Sequence, residues 1–238
     1  MMHKNGGIMM KFTDQLRQEN DPVWQQIFNC PFISGLTDGT LSMDAFRYYF
    51  IQDNKYCVAF YDLHQKIAKK MANKEQAYLL NHLVDLCNEI TERSPIYDEL
   101  KLTQAEIDSV SVAPTAYAYI TNMYYQFEEA GIEAGTVSLV PCYWTYTEMF
   151  QNIRKKGYST KPVYKDFIEF CSGDEFGSLN QKMLDLTDEL ADAATPEVRE
   201  KMRLAFQYSS EYELQYWKMC VEHEQWILDQ KKSKLLAQ

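Results

Sequence analysis

The sequence predicts an all-α protein, and three observations carry that prediction. Apolar residues recur at three- and four-residue spacing along most of the 238 residues. Proline, serine, threonine and asparagine stand where such stripes begin, as helix N-termini require. No stretch alternates apolar and polar residues between turn signals, as half-buried strands would.

Taken in order, residues 11–29 carry Phe12, Leu16, Trp24 and Ile27/Phe28 on a rough helical stripe, interrupted near Pro22. A loop is expected from Cys30 to Leu41, with Asp38-Gly39 as its turn. Ser42 reads as an N-cap, with Asp44 in the first turn of a long helix to about Lys70. Asn73 and Glu75 start another helix towards Glu92, which Pro95 ends. A short helix is expected around residues 103–109, and Pro114 opens one that closes near Gly131. Residues 133–155 form the next helix, broken or begun at Pro141. Lys161-Pro162 starts a short helix to Gly173, and residues 176–193 are amphipathic. Thr195-Pro196-Glu197 then supplies an N-cap, a first helical residue and an acidic first turn for a long last helix. No linker interrupts the series, so residues 10–238 read as one domain behind a loose tail over residues 1–9.

Composition narrows the function. A net charge of −10 argues against nucleic acid or an anionic membrane surface as partner. No apolar run is long enough to span a bilayer, and Met1 to Gly7 has no apolar core of a signal peptide. The six cysteines, Cys30, Cys57, Cys87, Cys142, Cys171 and Cys220, form no CxxC pair. That pattern is neither a zinc site nor a small disulfide scaffold, and it fits a reducing cytoplasm.

Polar residues inside apolar stripes mark the candidate site. Asp53 interrupts the stripe of Phe46, Tyr49, Phe50, Tyr56, Cys57 and Phe60, and a buried carboxylate needs a partner. Glu213 interrupts the stripe of Phe206, Tyr216, Trp217 and Cys220 in the last helix, whereas Glu211 points to another face. Ser209 and Ser210 are small enough to let a helix or ligand approach closely. Cys142 directly follows Pro141 at what reads as a helical start, where free amides would lower a thiol pKa. Asp53 with Tyr56, Cys142 with Tyr146 and Glu213 with Tyr216 thus form pairs at helical spacing. With 17 tyrosines some such pairs arise by chance, and their convergence on one cavity is the criterion for a site. The four histidines are scattered, and none is placed to pair with Cys142. Signatures of a di-iron bundle, a zinc protease, a P-loop, a dinucleotide fold and a serine hydrolase are all missing.

Four blocks of residues resemble the thiaminase II (TenA) family over most of residues 11–225. They are Pro31-Phe32 through Asp38-Gly39-Thr40-Leu41 to Gln52-Asp53-Asn54-Lys55-Tyr56; Tyr119-Ile120-Thr121-Asn122-Met123; Leu139 to Glu148; and Phe206 with Ser209-Ser210, Tyr212-Glu213 and Tyr216-Trp217. The resemblance implies a haem-oxygenase-like helical fold that binds no haem, usually as a homotetramer. It implies hydrolysis of the bond between an aminopyrimidine methylene and its amine, in thiamin or in aminomethylpyrimidine, giving hydroxymethylpyrimidine for thiamin salvage. On that likeness Cys142 is the nucleophile and Glu213 moves protons at a ring nitrogen. Asp53 holds the ring nitrogen and amino group, with Tyr56 and Tyr119 in the pocket wall and Tyr146 beside the thiol. No metal or organic cofactor is needed. The sequence departs from the family at Phe170, where a tyrosine is common, and at Tyr216, where phenylalanine commonly stacks on the ring. The two suggest a relocated hydroxyl. The competing readings are a non-catalytic pyrimidine binder or regulator, favoured by Phe170, and an oxidoreductase acting on a quinone precursor, which would want histidines and basic residues in the cavity.

Overall fold

Helix boundaries fall where capping residues place them. The computed structural model describes residues 10–92 and 96–229; the expected tail and the break at Pro95 lie outside the described residues. The helices are α1 (Phe12–Glu19), α2 (Asp21–Phe28), α3 (Pro31–Asp38), α4 (Met43–Lys70), α5 (Lys74–Glu92), α6 (Ile96–Glu99), α7 (Gln104–Ser109), α8 (Pro114–Tyr125), α9 (Ile132–Lys156), α10 (Pro162–Cys171), α11 (Asp174–Ala193) and α12 (Pro196–Glu222). A π-helical turn, Gln126–Ala130, carries α8 on to Gly131. No strand occurs among the described residues. The Ser42, Thr103 and Thr195 hydroxyls accept the amides of Ala45, Glu106 and Val198, and each such cap contributes about 1 kcal/mol. Asn73 Oδ1 does the same for Glu75 and Gln76.

Two expectations are corrected. The segment from Cys30 to Leu41 is not a loop but contains α3, because Pro31 is its first residue and Gly39, at φ 82°, closes it in the left-handed region. Gly35 is there for close approach: a Cβ would lie 3.0 Å from the Leu41 amide nitrogen. Pro141 neither begins nor breaks a helix, since α9 runs unbroken through it. The ring costs Val137 its usual amide partner, yet helical packing on nearly every side holds this segment, which is buried from Ala134 to Pro141.

The core forms around α9 and α12, the most extensively packed pair, with α10 and α11 against α9 and with α2, α3, α4 and α8 against α12. Trp217, fully buried on α12, stacks on Tyr49 of α4 at 5.3 Å and meets Phe32 of α3 at 4.9 Å. Trp24 of α2 donates to Ser210 Oγ at 3.0 Å, so the small serine does admit another helix. Arg17 of α1 grips Glu148 of α9 through two bonds of 2.9 and 2.7 Å and stacks over the Trp24 ring.

Candidate functional site

α4, α8, α9 and α12 meet around two adjoining chambers. The inner one, about 190 Å³, takes Asp53 and Tyr56 from α4, Tyr119 from α8, Cys142 and Tyr146 from α9, and Glu213 and Tyr216 from α12. The outer one, about 820 Å³ with its mouth, shares Asp53, Tyr56, Cys142 and Tyr146 with it. Phe170 of α10 lines the outer chamber, edge-on to Phe176 of α11. The three polar pairs read from helical spacing therefore meet in one place.

Their partners are not those the spacing suggested. Glu213 accepts from Tyr119 on another helix, at 2.8 Å, and not from Tyr216. The Tyr146 hydroxyl bonds Tyr49 at 2.9 Å. Asp53 is bonded by Tyr49 and Cys57, one turn to either side, and not by Tyr56. The Tyr56 hydroxyl donates to Met123 Sδ at 3.7 Å and lies close enough to the Cys142 thiol and the Tyr119 hydroxyl to influence their protons. Glu213 and Tyr146 thus find their partners on facing helices, whereas Asp53 finds its own one turn away on α4. The Tyr216 hydroxyl is buried with no partner. Phe170 and Tyr216 line different chambers, so a hydroxyl at one does not stand in the place of the other.

Among the described residues, no lysine, arginine or histidine lines either chamber. Burial without a cation raises Glu213 from its ordinary 4.5 to about 8, with the Tyr119 bond opposing the rise and Asp53 adding to it. Asp53 rises to about 7 for the same first reason, held back by Tyr49 and Cys57. Burial also pushes the Cys142 thiol well above its usual range, and Glu213 adds to the push. This overturns the expected thiolate-stabilising helix end. Inside α9 the amides that follow Pro141 are bonded within the helix, so no free N–H groups point at Sγ.

The sequence reading missed Tyr49, Cys57, Tyr61, Cys87, Tyr97 and Tyr143, all in the outer wall. Tyr49, Cys57 and Tyr61 follow the Asp53 face along α4 and were visible in its stripe. Cys87 and Tyr97 come from α5 and α6, and their approach depends on how those helices fold back.

Fold and site together define an enclosed helical pocket of phenols, a thiol and two carboxylic acids. A model of the TENA/THI-4/PQQC family matches residues 17–223, and the chain belongs to that family. It is 30% identical over 224 residues to the aminopyrimidine aminohydrolase of Bacillus subtilis, covering 91% of this chain and 92% of that one. It is 24% identical to the Helicobacter pylori protein of the same name, covering 90% and 100%. Among solved structures, a TenA homologue from P. horikoshii superposes with a TM-score of 0.80 at 23% identity, covering 90% of this chain and 99% of that one. A TenA family transcription regulator from Silicibacter does so with a TM-score of 0.80 at 20% identity, covering 89% and 96%.

Proposed function

We propose that the protein is an aminopyrimidine aminohydrolase of the thiaminase II type. It hydrolyses the bond between the pyrimidine methylene and its amine, in aminomethylpyrimidine or thiamin, and releases hydroxymethylpyrimidine. The observation that carries this reading is the convergence of the Cys142 thiol with Asp53, raised to about 7, and Glu213, raised to about 8, in one chamber.

A protonated carboxyl offers one donor and one acceptor side by side. Asp53 in that form matches the ring-nitrogen and amino edge of an aminopyrimidine. Glu213 keeps its proton at neutral pH and gives it to the other ring nitrogen as Cys142 Sγ bonds to a ring carbon. The thiol proton passes by Tyr56 and Tyr119 to Glu213, which restores the carboxyl. With the ring's aromaticity broken, its electrons expel the amine from the methylene. Water adds to the methylene, the C–S bond breaks, and the thiol recovers its proton. The net change is one water consumed, one amine and one alcohol formed.

In this reading Tyr146, which lines both chambers with Cys142, serves beside the thiol, and Phe170 and Tyr216 bound the substrate's two ends. A homotetramer in the cytoplasm completes the reading, supported by six cysteines outside any disulfide and by exposed Tyr117, Tyr125, Trp226 and Ile227. Light scattering would return the mass of four chains. Chromatography after incubation with aminomethylpyrimidine and with thiamin tests the activity, and hydroxymethylpyrimidine is the expected product. Tight pyrimidine binding with no product would favour the second reading, a binder or regulator, to which the apolar Phe170 wall and the name of the Silicibacter relative lend support.

A further inference from the structure

His64 lines neither chamber but is fully buried on α4, directly behind the outer one. Its Nδ1 lies 2.8 Å from the carbonyl oxygen of Phe60, one turn earlier. A carbonyl only accepts, so Nδ1 carries a hydrogen. Burial lowers the imidazole pKa to about 4, which leaves the ring neutral and Nε2 a bare acceptor at neutral pH. Nε2 lies 2.9 Å from the Tyr143 hydroxyl, which must therefore donate its one hydrogen there. The phenol oxygen is left with lone pairs alone. Cys87 Sγ, at 3.8 Å, can only donate to it. Tyr143 and Cys87 both line the outer chamber.

The orientation of Tyr143 is imposed from outside the cavity, by a ring that lines neither chamber. Tyr143 follows Cys142 on α9, and the two side chains lie close enough to influence each other's charge. Cys142 lines both chambers, so a pyrimidine attached at Sγ can lie with its ring in the inner one and its methylene substituent in this one.

We propose that Tyr143, fixed as a hydrogen-bond acceptor by His64, is a specificity residue that receives an N–H of the departing amine. It favours substrates whose leaving nitrogen carries hydrogen over substrates in which that nitrogen is fully substituted. The proposal rests on the aminopyrimidine reading above. His64 is a positioning residue in it, since it touches no substrate. A primary ammonium offers N–H donors to the phenol oxygen and keeps them as the C–N bond breaks, when it takes the bonding pair and departs as the neutral amine. A thiazolium nitrogen, bonded only to carbon, offers none.

The test is kcat/KM of wild type, Tyr143→Phe and His64→Leu with aminomethylpyrimidine and with thiamin. Tyr143→Phe loses about 10- to 100-fold with the amine, the range for one hydrogen bond to a charged group, and changes by less than about threefold with thiamin. His64→Leu frees the hydroxyl to rotate and moves the ratio in the same direction by less. A purely structural role would lower both substrates together. Equal losses, or no loss with either substrate, would overturn the proposal. If wild type turns over neither compound, calorimetric binding of aminomethylpyrimidine against the same ring bearing a plain methyl group is compared in wild type and Tyr143→Phe. A preference for the amine that disappears in Tyr143→Phe supports the proposal, and a preference that persists overturns it alone. No binding of either compound to wild type overturns the aminopyrimidine reading and this inference with it.

Discussion

Glu148 and Glu213 sit on the paired helices α9 and α12, and the chain treats them in opposite ways. Glu148 is given the fork of Arg17, with two short bonds and an indole face behind the guanidinium. Glu213 is buried deeper and, like Asp53, is given only hydroxyls and thiols. An ion pair of the first kind holds elements together and fixes charge. A carboxyl of the second kind keeps its proton near neutrality and can hand it over. The difference separates scaffold from site more cleanly than burial does.

Substitutions can break that contrast from either side. Cys142→Ala removes the nucleophile that the uncharged acids serve, and kcat/KM for hydroxymethylpyrimidine formation falls by about 10³-fold or more. Glu213→Gln keeps the shape and the Tyr119 contact but cannot release a proton, and turnover falls about 10²- to 10⁴-fold while pyrimidine binding survives.

The same substitution flattens the pH dependence of stability. The folded protein holds a proton on Glu213 from pH about 4.5, where the unfolded chain releases it, up to about 8. Stability therefore falls as pH rises through that window and levels off above it, with Asp53 adding the same trend up to about 7. Urea midpoints at about pH 6 and about pH 8.5 drop for wild type and drop less for Glu213→Gln.

On the scaffold side, Arg17→Met strands Glu148 and costs about 1–3 kcal/mol of stability by thermal or urea unfolding. Its kcat per folded molecule is unchanged, because the pair lies outside both chambers. The smallest effect is Tyr216→Phe. Its hydroxyl has no partner in the protein, so stability holds or improves slightly, and KM for the pyrimidine rises by up to about tenfold if the substrate supplies that partner.

The helices were readable because their ends are written in single residues, Ser42, Thr103, Pro114 and Thr195 among them. The same signals misled at Pro31 and Gly39, which bound a short helix and were read as a loop. Pro141 misled in the other direction, since tertiary packing overrides local preference inside a buried helix. For the site, an acid in an apolar stripe was enough to find Asp53 and Glu213. What could not be read was the partner of Glu213 or of Tyr143, because Tyr119 reaches Glu213 and Tyr143 reaches His64 only through the packing of separate helices. The state of Cys142 was misjudged for the same reason. Its helical neighbours are consecutive in sequence, but the burial that sets its proton comes from the whole bundle.

The central claim, that Cys142 is the reacting group of this chamber, is tested most directly by one paired measurement. Wild type and Cys142→Ala are incubated with aminomethylpyrimidine, product is quantified by chromatography, and binding of the same compound is measured by calorimetry. Product from wild type alone, with binding retained in the variant, is the predicted result. Product from Cys142→Ala at the wild-type rate would contradict the account.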